Sequence, residues 1–290
     1  MENKRGRPPI IITGMHGSGT TMVARIVEEA GVFLGARKEQ NNESIFFLKI
    51  NDWLLSLAGG AWDHPTPFRL LLQRETILEQ IISRLRFLLN TPQLIQFLGF
   101  INYLRYRSLD RLDFAWAWKD PRNTFTLPLW LHFFPDAKII FLYRHGVDVA
   151  ASLRHREHKI VSRKISRRAK LTYALLTLPS SRKGHDSSPR CFDLEGGFSV
   201  WEEYMNQAEK LCTKYPDQIL SIRYEDFLLE PYDKFRELSS FLRLKFPEEV
   251  LNAIVSRVNV DRMFPYKKRS DFQEYSNSVA PRLAVYGYKP

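Results

Sequence analysis

The chain has 290 residues, of which 44% are hydrophobic and 26% are charged, and these ordinary values exclude a disordered or fibrous protein. The net charge of +11 suits an anionic ligand, a lipid headgroup or nucleic acid. Two cysteines, Cys191 and Cys212, fit no metal-ligand spacing, and the N-terminus lacks the apolar run of a secretory signal. We therefore expect a cytoplasmic protein whose activity needs no metal.

The first predicted element is a strand over residues 9–13, followed by the loop GMHGSGTT and a helix that ends near Gly31. The loop nearly matches the phosphate-binding pattern G-x-x-x-x-G-K-[ST], except that Thr20 stands in the lysine position. Residues 9–31 therefore predict a β-loop-α unit that binds an anion. The alternative is a glycine-rich turn that only joins the strand to the helix.

The loop suits a phosphate or sulfate group even without the lysine. Its glycines allow the backbone to approach an anion closely, and the following helix N-terminus supplies amide groups and a favourable dipole. Hydroxyl side chains add further donors. The candidate anion-binding residues are Gly14, His16, Gly17, Ser18, Gly19, Thr20 and Thr21.

Residues 44–112 have apolar side chains at helical intervals and predict a mostly helical region with a break at Thr91-Pro92. The apolar run LIQFLGFINYL, residues 94–104, favours core or interface packing over insertion into a membrane. We assign this region to the acceptor side of the predicted site.

The rest of the chain alternates between strand and helix patterns. Strands are predicted over 114–119 and 135–144 and within 219–227, and helices after residue 144, over 197–215 and from Pro231. This alternation predicts an α/β fold: a single three-layer domain over residues 1–290, with a mainly parallel central sheet and helical insertions.

Polar side chains stand at or just after the predicted strand ends. They are Thr13, Lys119, Arg144 and Tyr224. Because the carboxyl ends of parallel strands meet at one edge of a sheet, we expect a single site there. Arg144 can grip a phosphate bidentately, and Ser152, eight residues later in the next helix, can donate to the same group. Taken alone, this pair is weak evidence, because Asp120 or Asp148 is an equal candidate for a structural partner of Arg144.

Lys119 and Asp120 open a charged turn, KDPR. Lys119 can stabilise charge that develops on a transferring group, and Asp120 can act as a base or hold the lysine. The alternative is a turn whose charges are only solvated.

Residues 154–190 contain eleven lysines and arginines and two acidic residues, which gives this segment a charge of +9. We interpret it as a solvated, mobile insertion, in which His155 and His158 are surface residues. A nucleic-acid partner is not expected. A membrane surface or a lipid acceptor stays open as a partner, and the sequence does not indicate an oligomeric state.

Three motifs in this order resemble the sulfotransferases that use the donor 3′-phosphoadenosine 5′-phosphosulfate (PAPS). GMHGSGTT looks like their 5′-phosphosulfate loop, and Arg144 with Ser152 resembles their 3′-phosphate motif. RYEDFLLEP with FRELSSFLRL is similar to a later segment in which a tyrosine, here Tyr224, lies near the adenine. NNESIFFLKINDWLL, KDPR and YGY look like the bacterial branch of the family. The resemblance runs from about residue 9 to about residue 245.

The resemblance implies transfer of a sulfonate group from PAPS to a hydroxyl, or less favourably an amine, of a small molecule, carbohydrate or lipid. The product would be 3′-phosphoadenosine 5′-phosphate (PAP). Lys119 would offset charge on the bridging oxygen, and either Glu43 or Asp120 would deprotonate the acceptor. Glu43 matches a glutamate that precedes an Asn-Asp pair of the family, and Asp120 lies near the position of a catalytic histidine in better-known cytosolic members.

The sequence departs from the family at Gly17, where a lysine or arginine usually precedes SGTT. Either another cation, Lys119 or His16, replaces it, or the enzyme is slow or inactive. Two alternatives therefore stay open. A P-loop kinase or NTPase is disfavoured by Thr20, whereas an inactive nucleotide-binding relative is favoured by Gly17.

Overall fold

Four parallel strands form the central sheet of this computed structural model, which describes residues 6–162 and 187–289. The strands are β1 (Ile10–Gly14), β2 (Ala117–Lys119), β3 (Lys138–Tyr143) and β4 (Ile219–Arg223). Their order is β2-β1-β3-β4, and every neighbouring pair is parallel. The predicted α/β class with a parallel sheet is confirmed.

Residues of the chain group into two compact units. The first contains Met1–Arg144 and Glu203–Pro265, and the second contains His145–Glu202 and Tyr266–Pro290. The prediction of one domain over residues 1–290 stays a prediction. Most of the predicted basic insertion, residues 163–186, lies outside the described residues.

Helices cover most of both units. In the first unit the helices are α1 (Thr20–Glu29), α2 (Ile45–Ser56), α3 (Thr66–Leu71), α4 (Glu75–Leu89), α5 (Ile95–Tyr106), α6 (Asn123–Phe133), α9 (Tyr224–Leu229), α10 (Pro231–Leu242) and α11 (Glu248–Val255). In the second they are α7 (Gly146–Ser162), α12 (Ser270–Ser278) and α13 (Ala280–Ala284). Helix α8 spans Leu194–Lys214. In the described residues, no helix is long and apolar enough to cross a membrane.

The predicted elements over residues 9–112 match closely. The predicted break at Thr91-Pro92 separates α4 from a short 3-10 turn that leads into α5. The strand predicted over 114–119 is shorter, because Trp116 forms only an isolated bridge with Phe33. The prediction did not include helix α6, whose Pro128 and continuous apolar run obscure a helical pattern.

Alternation of side chains along β1 gives the sheet two different faces. Ile10 and Ile12 pack into a mainly aliphatic core with residues of α1, α10 and α11. The opposite face is aromatic around β2, where the Trp118 ring stacks on the Phe47 ring with centroids 4.2 Å apart. Trp130 of α6 packs edge-on against the same two rings. Strands β1 and β2 are therefore buried on both faces, as in other parallel sheets, whereas the edge strand β4 is partly exposed.

The second unit connects the C-terminal residues to α7 and α8. The Tyr266 amide donates to the Asp148 carboxylate at 2.9 Å, and the Tyr266 ring stacks on His145. Arg282 of α13 forms ion pairs with Glu195 and Glu202 of α8. These contacts hold the last helix against α8 within this unit.

Candidate active site

The predicted loop joins β1 to α1 at the carboxyl edge of the sheet. Gly14 is the last residue of β1 and pairs with Leu142 of β3. Thr20 is the first residue of α1, whose first turn contains no acidic side chain. Strand β2 lies on one side of β1 and strand β3 lies on the other side. The loop after β1 therefore lies where the strand order reverses. Ligands of open parallel sheets bind at such reversal points.

Backbone amides of the loop are available to a ligand. Within the described part of the chain, the N–H groups of Gly17, Gly19 and Thr20 donate to no protein acceptor. The first amides of a helix have no intrahelical acceptor, and the helix dipole favours an anion beside them. The loop therefore has the donors that a phosphate or sulfate needs.

Hydroxyl groups of the loop have protein acceptors in this structure. The Ser18 hydroxyl is buried and donates to the Met15 carbonyl at 2.7 Å, whereas the Thr21 hydroxyl donates to the Asn41 carbonyl at 3.3 Å. Thr20 is buried at the start of α1. The backbone amides are thus the stronger candidates for the first contacts with an anion.

Gly19 brings the loop against the end of β4. A Cβ atom at this position would lie 2.4 Å from the Tyr224 ring, and the residue has a φ of +93°. Only glycine adopts such a backbone without strain and without a clash. The close approach of Gly19 and Tyr224 therefore depends on glycine at this position.

Arg144, directly after β3, completes this cluster. Its guanidinium lies 4.8 Å from the centroid of the Tyr224 ring. Its Nη1 donates to the Gly17 carbonyl at 3.4 Å and its Nη2 to the Arg262 carbonyl at 3.0 Å. The structure therefore brings together the loop, Arg144 and Tyr224, which the sequence placed at the ends of β1, β3 and β4.

Lys119 is the last residue of β2 and forms a buried ion pair with Glu43. Glu43 lies two residues before the first residue of α2. The distance from Lys119 Nζ to Glu43 Oε1 is 2.8 Å, and both side chains are at most 9% exposed. Burial raises the pKa of Glu43 above its ordinary value and the Asp120 charge adds to this, whereas Lys119 and Arg122 act in the opposite direction. A carboxylate with a raised pKa beside a cation is suited to accept a proton.

Asp120 is fully buried, and its oxygens are used in the fold. Oδ1 accepts from the backbone amide and Nε of Arg122 at 2.9 and 3.0 Å. Oδ2 accepts from the Asn51 side chain at 2.9 Å. Burial lowers the pKa of Arg122, but the nearby charges of Asp120, Glu43 and Asp52 raise it by more, so the pKa lies above its ordinary value. Asp120 therefore fixes the turn after β2 through three hydrogen bonds.

Sequence reasoning gave no structural role to Asn51, which links α2 to this turn. Its Nδ2 also donates to Asn123 at 2.8 Å, and its Oδ1 accepts from Thr126 and Trp130 at 2.8 and 2.9 Å. The signal was present, because a polar residue on the apolar face of a helix needs hydrogen-bond partners. Arg262, whose carbonyl accepts a hydrogen bond from Arg144, is distant in sequence from every motif, so no sequence pattern indicated this contact.

The two residues at the anomalous part of the loop differ in their surroundings. Gly17 is exposed and has a φ of +83°. The neighbouring His16 ring packs edge-on against Trp62, with centroids 5.0 Å apart.

Ser152 is an exposed residue of α7 in the second unit.

The parallel α/β sheet has, at the reversal of its strand order, a glycine-rich loop with amides that are unpaired among the described residues, and this arrangement is typical of proteins that handle phosphate- or sulfate-bearing ligands. The model of the sulfotransferase family matches residues 8–248. The chain therefore belongs to the sulfotransferase family, and the predicted family resemblance is confirmed.

Solved structures with a similar fold are bacterial sulfotransferases. The sulfotransferase domain of the olefin synthase from Synechococcus PCC 7002 is 16% identical, with a TM-score of 0.51 over 100% of this chain and 98% of that one. The sulfotransferase from Alicyclobacillus acidocaldarius is 16% identical, with a TM-score of 0.48 over 98% of this chain and 97% of the other. No curated protein matches the chain in sequence. The first of these structures supports the fold described above.

Proposed function

We propose that this sulfotransferase-family protein transfers a sulfonate group from PAPS to a hydroxyl, or less favourably an amine, of a small molecule, carbohydrate or lipid. The observation that carries the proposal is the cluster of loop amides, Arg144 and Tyr224 at the carboxyl ends of β1, β3 and β4. The amides without protein acceptors and the glycine-dependent approach to Tyr224 fit an anionic nucleotide donor.

The donor would be held by three groups of residues. Residues 14–21 bind the 5′-phosphosulfate, mainly through the backbone amides of Gly17, Gly19 and Thr20. Arg144 binds the 3′-phosphate together with Ser152, and Tyr224 lies along the adenine. The assignment of Ser152 rests on its spacing of eight residues from Arg144 in the sequence. Ser18, Thr21 and His16 contribute secondary contacts to the same loop site.

We assign the base to Glu43 rather than to Asp120. Asp120 accepts three hydrogen bonds from the fold, so its oxygens are committed. The Glu43 carboxylate takes the proton of the acceptor hydroxyl as the acceptor oxygen bonds to sulfur. The bond from sulfur to the 5′-phosphate oxygen breaks, and its electron pair stays on the phosphate of PAP. Catalysis is then in-line positioning with electrostatic stabilisation.

Lys119 is our choice for the cation that replaces the one missing at position 17. It ends β2 beside Ile12 of β1, two residues before the loop, and is held by Glu43. Its charge offsets the negative charge that develops on the bridging oxygen. His16 is the weaker choice because its ring packs against Trp62 and the ring is mostly neutral near pH 7.

Gly17 also supports a second candidate, an inactive relative that only binds the nucleotide. Introducing Gly17→Arg would then create activity, although the φ of +83° adds strain of about 1–2 kcal/mol. Gly17→Asn is the matched control, since asparagine tolerates this backbone but carries no charge. An active wild-type enzyme excludes this candidate.

The donor site is tested by calorimetric titration with PAP. Wild type and Arg236→Ala, which removes an exposed arginine of α10, should bind PAP equally. Arg144→Ala should weaken binding about 10-fold or more, because a charge-assisted phosphate contact contributes about 1.5–3 kcal/mol. Absence of PAP binding to wild type, or turnover of ATP with Mg²⁺, would overturn the proposal. The absence of a nucleic-acid partner and the cytoplasmic location stay predictions.

A further inference from the structure

The apolar run of residues 94–104 divides at Gly99 into a buried half and an exposed half. Leu94, Phe97 and Leu98 are at most 1% exposed. Phe100 and Ile101 are 66% and 80% exposed. Gly99 has a φ of +74° and a ψ of 168°, which interrupts α5 and changes the direction of the side chains that follow. The sequence predicted that this run packs in the core or at an interface, and its first half, residues 94–98, does pack in the core.

The exposed half presents three large apolar side chains on one side of α5. Phe100, Ile101 and Leu104, the last 48% exposed, follow one another at intervals of one and three residues. At about 100° per residue they fall within an arc of about 100°. Phe87, 71% exposed at the end of α4, is a fourth large apolar side chain of the same helical region. Clusters of this kind mark interaction surfaces.

Charge distinguishes this region from an ordinary apolar patch. Residues 80–109 contain four arginines and no acidic residue. Arg84 and Arg86 are exposed beside Phe87, and Arg105 and Arg107 are exposed just after Leu104. Arg105 also reaches Asp113 at 3.8 Å, with both side chains well exposed. In the sequence these arginines flank the exposed aromatic and aliphatic side chains on both sides, and arginine-rich helices with an exposed apolar face are typical of helices that lie on a membrane surface.

We propose that Phe87, Phe100, Ile101 and Leu104, with the arginines beside them, form a docking surface for an anionic lipid bilayer. The apolar side chains enter the boundary between headgroups and acyl chains, while the arginines pair with acidic headgroups. The surface rests on the membrane and does not span it. An acidic bilayer is the occupant that complements both features, because the four arginines outnumber the exposed Asp110 and Asp113 that follow them.

Vesicle co-sedimentation without donor or acceptor tests this surface independently of the proposed catalytic function. Wild type should bind phosphatidylcholine vesicles that contain phosphatidylserine and should release them as salt rises. Phe100→Ser with Ile101→Ser should weaken binding by about tenfold or more. Arg86→Gln with Arg107→Gln should weaken it by about fivefold per arginine. Both variants should keep the wild-type melting temperature and PAP affinity, since the changed side chains are exposed.

Matched controls separate this surface from the general positive charge of the chain. Val161→Ser with Val285→Ser removes two apolar side chains that are 65% and 67% exposed in the second unit, and should leave vesicle binding unchanged. Equal binding by the Phe100/Ile101 variant and wild type would overturn the proposal. So would a wild-type dimer that dissociates in that variant, because the surface would then be an interface between two copies.

Discussion

At the scale of single residues, Gly19 brings the loop of residues 14–21 against the Tyr224 ring. The Gly19 backbone needs a positive φ, and the Tyr224 ring occupies the space where a Cβ would lie. Gly31 provides a matched position, because its φ of +88° is nearly the same as the +93° of Gly19, and a Cβ there meets nothing within 4 Å. The two glycines thus separate backbone strain from the steric role.

We expect Gly31→Ala to cost about 1–2 kcal/mol of stability and to leave PAP affinity unchanged. Gly19→Ala should cost the same strain and also displace Tyr224, so that PAP affinity falls at least tenfold. Thermal unfolding and calorimetric titration of both variants measure the two effects. Equal PAP affinity in Gly19→Ala and Gly31→Ala would contradict the role of Tyr224 at the donor site.

The ionisation of Glu43 is a second property of single residues. Burial raises its pKa, Asp120 raises it further and Lys119 lowers it. Glu43 can act as the proposed base only when its carboxylate is ionised. Enzyme activity should therefore be present above the pKa of Glu43 and should be lost as the pH falls through that pKa. The acid limit of activity should therefore lie above the ordinary glutamate value of about 4.3.

Carboxyl carbon NMR of glutamate-labelled protein, assigned with Glu43→Gln, measures this pKa directly. Lys119→Met should move the Glu43 midpoint to higher pH, because a cation that favours the carboxylate is removed. Asp120→Asn should move it to lower pH, because a repelling anion is removed. A shift of the opposite sign in either variant would show that Glu43 does not sense these charges as the structure indicates.

At the scale of elements, the position of α2 against the turn after β2 depends on one buried amide. Asn51 makes hydrogen bonds to Asp120, Asn123, Thr126 and Trp130. Because α2 begins two residues after Glu43, the same contacts fix the relative position of Glu43 and Lys119. The helix and the strand end therefore form one rigid support for the proposed catalytic pair.

We predict that Asn51→Ala destabilises the fold by about 3 kcal/mol or more, since it leaves a buried carboxylate and a buried indole N–H with fewer partners. The melting temperature should fall by about 6–12 °C. Asn102→Ala, at a half-exposed position of α5, should change it little. A loss no larger than that of Asn102→Ala would show that the other partners of Asp120 are sufficient.

The elements that the sequence predicted are amphipathic helices, whose apolar residues share one face, and strands rich in β-branched residues. The strand IIITG, helix α1 and the break before α5 follow directly from local sequence. Helix α6 is buried almost throughout and contains Pro128, so it has no polar face from which a helical period can be read. The short β2 was overestimated because Trp116 pairs only with Phe33.

At the scale of the molecule, strand order decides which predicted residues meet. Placing β1 between β2 and β3 puts the loop between Lys119 on one side and Arg144 on the other. With β4 next to β3, Tyr224 reaches Gly19 and Arg144. The second unit contains Ser152, whose proposed role still rests on motif spacing.

The sequence by itself determined the family and the parallel α/β class, and it predicted the loop chemistry, because these depend on local patterns and on motif order along the chain. Only the tertiary structure decided that Lys119 pairs with Glu43, that Asp120 is committed to Asn51 and Arg122, and that Phe100 and Ile101 are exposed. The reason is physical: hydrogen-bond partners and burial depend on residues that are far apart in the chain, and no local pattern records them.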